Sequence, residues 1–222
     1  YIGQTLIGVQ KDIEAYRLGD VVNRGDIIAQ GSEGVQLVSK HSNVSNYDNF
    51  SIIDGLVNEK GERYYQEDIA DKFNSGTKFN DEKYNKGILS VGDIGLHADE
   101  GYIYNNKDIV SDGNVDITSG KSLTSGLNFA RIEAGKNVNI SSNENINLIS
   151  KPSPEKVVNI LSHDGIVSIA SENGNINAEN FTIEANSKAT EPSPNGSIAL
   201  TSTYGNINFV NGNLFANGNA DG

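Results

Sequence analysis

Apolar and polar residues alternate along this chain in short bursts that repeat one phrase: Gly-Asn, apolar, polar, apolar, small polar. It stands as Gly113-Asn114-Val115-Asp116-Ile117-Thr118-Ser119 and again as Lys136-Asn137-Val138-Asn139-Ile140-Ser141-Ser142. Further copies begin at Glu144, Gly165, Gly196 and Gly205. The period is two, so Val138 and Ile140 face one way while Asn139 and Ser141 face the other. Val138 to Ile146 is a step of eight residues, and Val158 to Val167, Val167 to Ile176 and Ile198 to Ile207 are steps of nine. Such a step holds a strand of about four or five residues and a corner of about three or four. Helical periodicity is missing from this half of the chain. The predicted fold is all-β, a β-helix or β-solenoid of short stacked strands. Its core-facing positions are Val115, Ile117, Val138, Ile140, Ile146, Leu148, Val167, Ile169, Ile198, Leu200, Ile207 and Phe209.

Corners are expected at Gly113, Gly165, Gly174, Gly196, Gly205 and Gly212, where Gly or Asn takes positive φ at little steric cost. Asn has a second use in stacked coils, since its amide can bond to the equivalent Asn one rung away; the plain turn role is the simpler reading. The rhythm breaks at Ser119 to Phe129, Lys151-Pro152-Ser153-Pro154 and Asn186 to Pro194, and Pro cannot donate to a ladder. Residues 111–222 read as the regular shaft and 35–110 as a looser β region. Within the latter, Val35 to Ser39 and Gly92 to Ala98 look like rungs, and 61–87 reads as a charged, Tyr-rich excursion with a loop or short helix around Tyr65 to Phe73. Residues 1–34 form an N-terminal β region. There, Leu18 to Ala29 resembles half of a biotinyl or lipoyl hammerhead but lacks the lysine-bearing hairpin, so it reads as a simple β-hairpin or entry module.

Composition narrows the class. A formal charge of −12 argues against nucleic-acid binding, because no basic patch is present to release phosphate counterions. The same charge keeps an edge-rich β protein apart from its neighbours. Only 36% of residues are apolar, which suits a narrow ribbon-like core better than a round one. There is no Cys, so neither disulfides nor thiolate metal sites contribute. No run approaches the roughly 18 apolar residues of a membrane-spanning helix, and the first residues lack a basic n-region followed by an apolar h-region. With Tyr1 first and no Met, the sequence looks like a segment of something longer.

Candidate chemistry is sparse. His41, His97 and His163 lie in separate rungs, so a metal or catalytic cluster is not expected. Carboxylate pairs for sugar-bond cleavage are available at Glu67, Asp68, Asp71, Asp99 and Glu100, but solvated acidity on loops is the simpler reading. Aromatic residues concentrate at Tyr64, Tyr65, Phe73, Phe79 and Tyr84, with Tyr102 and Tyr104 nearby. This is the expected recognition surface, for a host-surface glycan or receptor, although packing of the excursion onto the shaft is the simpler reading. Asp112 to Asp116 and Asn217 to Gly222 only partly match calcium loops. Catalytic, cofactor and metal residues are therefore all expected to be none, and the chain reads as a non-enzyme.

Ala134 to Leu148 is similar to the repeat of filamentous haemagglutinin-type adhesins and contact-dependent inhibition proteins. The same residues, with Gly174-Asn175-Ile176-Asn177 and Gly205-Asn206-Ile207-Asn208-Phe209, also resemble the β-helical spikes of phage tails and baseplates, in which three chains wind together. The resemblance covers roughly residues 90 to 215. It implies a structural shaft of a spike or fibre in a virion tail or at a bacterial cell surface, used in host attachment or envelope penetration. Its partners would be further copies of itself as a homotrimer and other virion or cell-surface proteins. The secreted adhesin stalk is the alternative, and a polysaccharide-degrading tailspike the third. No superperiod of strands survives the insertions, which favours the intertwined trimer.

Overall fold

The computed structural model describes residues 13–17, 19–23, 26–46, 87–126, 131–152, 157–190 and 193–218. Every regular element among them is a strand. A first turn comprises β1 (Ile13–Arg17), β2 (Val21–Asn23) and β3 (Ile27–Ala29), and a second β4 (Val35–Ser39), β5 (Val44–Asn46) and β6 (Ile88–Ser90). The third has β7 (Ile94–Ala98), β8 (Ile103–Asn105) and β9 (Ile109–Ser111), and the fourth β10 (Val115–Ser119), β11 (Leu123–Gly126) and β12 (Ile132–Ala134). The fifth has β13 (Val138–Ser142), β14 (Ile146–Ile149) and β15 (Ile160–Ser162). The sixth has β16 (Val167–Ser171), β17 (Ile176–Glu179) and β18 (Thr182–Asn186), and the seventh β19 (Ile198–Ser202), β20 (Ile207–Val210) and β21 (Asn213–Asn217).

Each strand pairs in parallel with the strand three further on, giving three seven-stranded sheets. The fold is a parallel β-solenoid with three strands per turn. Alternation does the work that the sequence assigns to it. In β13, Val138, Ile140 and Ser142 point inward and Asn139 and Ser141 outward. Register then stacks like on like. In the first sheet, Val35, Ile94, Val115, Val138, Val167 and Ile198 form one column, and Leu37, Leu96, Ile117, Ile140, Ile169 and Leu200 the next. In the third, Ile27, Ile88, Ile109, Ile132, Ile160, Ile183 and Leu214 form a column. The inward residues of all three sheets join in a single apolar cluster. Burying each such side chain is worth about 1.5–3 kcal/mol, and a narrow core has few other sources of stability.

Eight of the expected core positions, Val115, Ile117, Val138, Ile140, Ile146, Leu148, Val167 and Ile169, are at most 1% exposed. The other four lie on the last turn. Ile198, Leu200 and Phe209 are half-buried and Ile207 is 44% exposed, because no strand stacks beyond them.

Three expectations change. A superperiod does exist, of three strands, hidden because first-sheet register positions recur 22, 59, 21, 23, 29 and 31 residues apart. The argument for intertwining therefore loses its premise. Leu18 to Ala29 is not a hairpin: Val21–Asn23 and Ile27–Ala29 lie in different sheets as part of an ordinary first turn. Ser119 to Phe129 is not a plain interruption either, since Leu123–Gly126 is a strand of the second sheet.

Corner glycines are also needed for a different reason than torsion. Of the six named above, only Gly196 (φ 80°) sits in the left-handed region. At Gly174 a Cβ would lie 2.4 Å from the backbone carbon of Glu144 in the turn before. Close approach of stacked corners excludes the side chain there.

Candidate functional site

The polar side chains of the phrase serve the stacking itself. At many corners the residue just before a strand offers a side-chain oxygen to the backbone N–H of its counterpart one turn on. Before the second sheet, Asn43 N–H donates to Asp20 Oδ1 (3.1 Å), Tyr102 N–H to Asn43 Oδ1 (2.9 Å), Asn175 N–H to Asn145 Oδ1 (2.8 Å) and Asn206 N–H to Asn175 Oδ1 (2.8 Å). Before the first sheet the chain is Asp93, Asn114, Asn137 and the amide of Ile166. Before the third, Asp108 Oδ1 accepts from Arg131 N–H and Asn159 Oδ1 from Thr182 N–H, both at 2.8 Å. Turn conformation and rung-to-rung bonding, treated as alternatives in the sequence, coexist at these positions. A bend leaves backbone donors that the adjoining strands do not reach, and a short amide or carboxylate satisfies them.

The fifth residue of the first-sheet strands carries a second device. Ser39, Ser119, Ser142, Ser171 and Ser202 turn inward and donate their hydroxyls to Gly19, Gly101, Lys121, Glu144 and Gly174 carbonyls at 2.5 to 2.9 Å. Ala98 takes the same place in β7 and lacks the hydroxyl. A third device lies inside. Asn23, Asn46 and Asn105 form a buried amide ladder in the second sheet, with Nδ2 to Oδ1 distances of 2.8 and 2.7 Å, and Asn105 continues to Ser125 Oγ at 3.4 Å.

The expected chemistry disperses over these frameworks. Asp99 Oδ2 pairs with Lys40 Nζ at 2.7 Å and Glu100 Oε2 with His41 Nδ1 at 2.9 Å, each bridging adjacent turns at the surface. Such exposed pairs contribute about 0–1 kcal/mol each and face no common substrate position. His97 projects outward from β7, and His163 Nε2 meets Glu133 Oε1 at 2.6 Å on the third sheet. Among the described residues no three His, Asp or Glu side chains converge on a metal position. Asp116 Oδ1 accepts the Asn139 amide at 2.7 Å and Asn114 N–H donates to Asp93 Oδ1 at 2.7 Å, so the calcium-like stretch is engaged in rung contacts.

Tyr64, Tyr65, Phe73, Phe79 and Tyr84, together with Glu67, Asp68 and Asp71, lie outside the described residues, as does nearly all of the 61–87 excursion. Tyr102 and Tyr104 are described. Their rings stack at 6.0 Å and 25°, with Lys121 Nζ 5.1 Å from the Tyr102 centroid. That arrangement ties two successive turns together.

Two groupings were missed in the sequence. One is polar and charged, where the second sheet turns into the third. Lys107 Nζ lies 3.8 Å from Asp26 Oδ1, and Arg131 Nε 2.8 Å from Glu133 Oε2. Asp26 and Lys107 are each 6% exposed and Asp108 is fully buried. The available signal was the Asp or Arg directly before Ile27, Ile109 and Ile132. The other is a shallow groove of about 430 Å³ lined by Thr118, Ser119, Ser141, Asn143, Glu172 and Thr203 among others. It offers hydroxyls but no histidine, and Ser142 and Ser171 in its wall already donate to carbonyls. Neither grouping presents a nucleophile beside a base.

No helix among the described residues is long and apolar enough to cross a membrane. Compared with known proteins, the chain matches no family model, no curated sequence and no solved structure.

Proposed function

We propose that this chain is a non-catalytic structural shaft, a stretch of an elongated fibre or stalk that holds other parts away from its base. The observation that carries the reading is the unbroken register of three parallel ladders through seven turns. In such a coil each turn satisfies the backbone of the next, so stiffness accumulates along the axis without a large globular core. The polar phrase supports it further: the Asn and Ser residues that most resemble a site are engaged in holding turn to turn.

Between the two biological settings, winding within one chain favours the stalk of a secreted filamentous haemagglutinin-like adhesin over an intertwined phage-type tail spike. A spike whose rungs are shared between chains does not need a three-strand recurrence within one chain, and here the strands recur in threes. In the adhesin setting the partners are cell-surface proteins or host glycans and receptors, met at insertions rather than on the ladders. Homotrimer formation and virion location belong to the spike reading.

Sedimentation velocity on the purified chain tests the choice. An elongated monomer supports the stalk, and an obligate trimer at all concentrations returns the spike. Cleavage of any member of a panel of bacterial surface glycans would replace both with a tailspike enzyme.

A further inference from the structure

The two ends of the coil are not equivalent. On the first turn the inward residues Val21, Asn23, Ile27 and Ala29 are at most 2% exposed although no strand of the three sheets lies beyond them. On the last turn Ile207 and Leu214, in the same columns as Val21 and Ile27, are 44% and 46% exposed. We infer that the open edge and end face of β19, β20 and β21 form a seat for one further three-strand coil turn, added in parallel register and carrying the same Gly-Asn phrase. The inference rests on the ladders and not on the shaft reading.

The last turn is composed as an interior one. A terminal repeat that ends a solenoid carries polar residues where interior repeats carry apolar ones. Here Ile198 and Leu200 continue the first-sheet columns of Val167 and Ile169, and Leu214 continues the isoleucine column of the third sheet. Among the described residues each strand of this turn also has one edge without a neighbouring strand, and such an edge is a template for another strand.

Polar groups state which strand. Asn145 Oδ1 accepts the Asn175 amide N–H and Asn175 Oδ1 accepts that of Asn206, so Asn206 Oδ1 stands ready for the same donor one rung on. On the outer face, Asn208 Nδ2 donates to Asn177 Oδ1 as Asn177 does to Asn147, which leaves Asn208 Oδ1 in the accepting place. Ser202 Oγ donates to the Gly174 carbonyl, and Gly205 holds the position of Gly174 one turn later. The occupant therefore has apolar residues over Ile198, Leu200, Ile207 and Leu214, a serine ending its first strand, and a donor over Asn208. The first turn of a second copy does not fit. It has Arg17 at the serine position and Val22 at the outer Asn position, and its Val21, Asn23, Ile27 and Ala29 are already buried.

The test is an extended chain in which residues 187–217 are repeated once after Asn217. Hydrogen exchange followed by mass spectrometry is compared with the original 222-residue chain. In the original, edge amides of β19–β21 should exchange far faster than those of β13–β18. In the extended chain they should slow by about tenfold or more, with a rise in melting temperature. A control extension, with Asp at the added counterparts of Ile198, Leu200, Ile207 and Leu214, should protect nothing. Absence of protection in the apolar extension, or equal protection in the control, overturns the inference. So does concentration-dependent self-association of the original chain that Leu214→Lys abolishes, because that assigns the seat to a second copy.

Discussion

Asn23 donates its side-chain amide to Asn46 across one turn at 2.8 Å, and both side chains belong to residues that solvent does not reach. Asn46 passes the pattern on to Asn105 at 2.7 Å, so it is acceptor and donor at once. Asn46→Ala removes both bonds and leaves Asn105 Oδ1 without that donor in a buried place. The expected loss is about 2–4 kcal/mol by urea unfolding. Replacing Asn23, Asn46 and Asn105 together by Leu should cost less than the single Ala change, because the same column already runs into Leu148. A triple variant weaker than Asn46→Ala would show that the ladder does more than fill and satisfy the column.

Position along the coil should decide the cost of a core charge. Ile140 is 1% exposed with turns on both sides, and Ile207, 44% exposed, has a turn on one side only. Ile140→Asp is expected to cost more than about 3 kcal/mol, and Ile207→Asp no more than about 1 kcal/mol. Thermal denaturation of the two variants side by side measures the contrast, and equal losses would refute the assigned strand phase.

Ser171 Oγ donates to the Glu144 carbonyl at 2.6 Å and accepts from Gly174 N–H at 3.1 Å. Ser171→Ala should destabilise by about 1–2 kcal/mol without altering the fold, since Ala98 occupies the same column in β7. Circular dichroism should be unchanged while the denaturation midpoint falls.

Asp20 gives the corner staples a pH signature. Hydrogen bonds from the Ser42 hydroxyl and the Asn43 backbone N–H hold its carboxyl below the usual carboxylate value. A carboxylate whose folded pKa is depressed stabilises fully above its unfolded pKa and loses that contribution as pH falls through the folded one. Part of the acid-side fall in melting temperature, between about pH 5 and about pH 2, should therefore disappear in Asp20→Asn. An unchanged acid limb would mean that the staple is not ionic.

How much of this was legible in the sequence depended on what repeats. Val138, Ile140, Val167 and Ile169 announced their strands because alternation is local and needs no partner. Grouping into threes was hidden, since Val35 and Ile94 are neighbours in the ladder yet 59 residues apart in the chain. Corner Asn residues such as Asn145 and Asn175 were visible as turn formers, but their rung-to-rung role depends on register, which no single phrase contains. The buried column of Asn23, Asn46 and Asn105 drew no notice in the sequence, because three-residue strands are too short to display a face. Gly174 was placed at a corner correctly, though the reason for it is the backbone of the turn before and not its own torsion.

The spacing of first-sheet register positions, from 21 to 59 residues per turn with no change in the ladders, uncouples contour length from reach. Each turn advances the axis by one interstrand distance, about 4.8 Å, whatever the number of residues it consumes. Reach is set by how many turns are wound, so residues added at a corner widen the silhouette and leave the measure along the axis untouched.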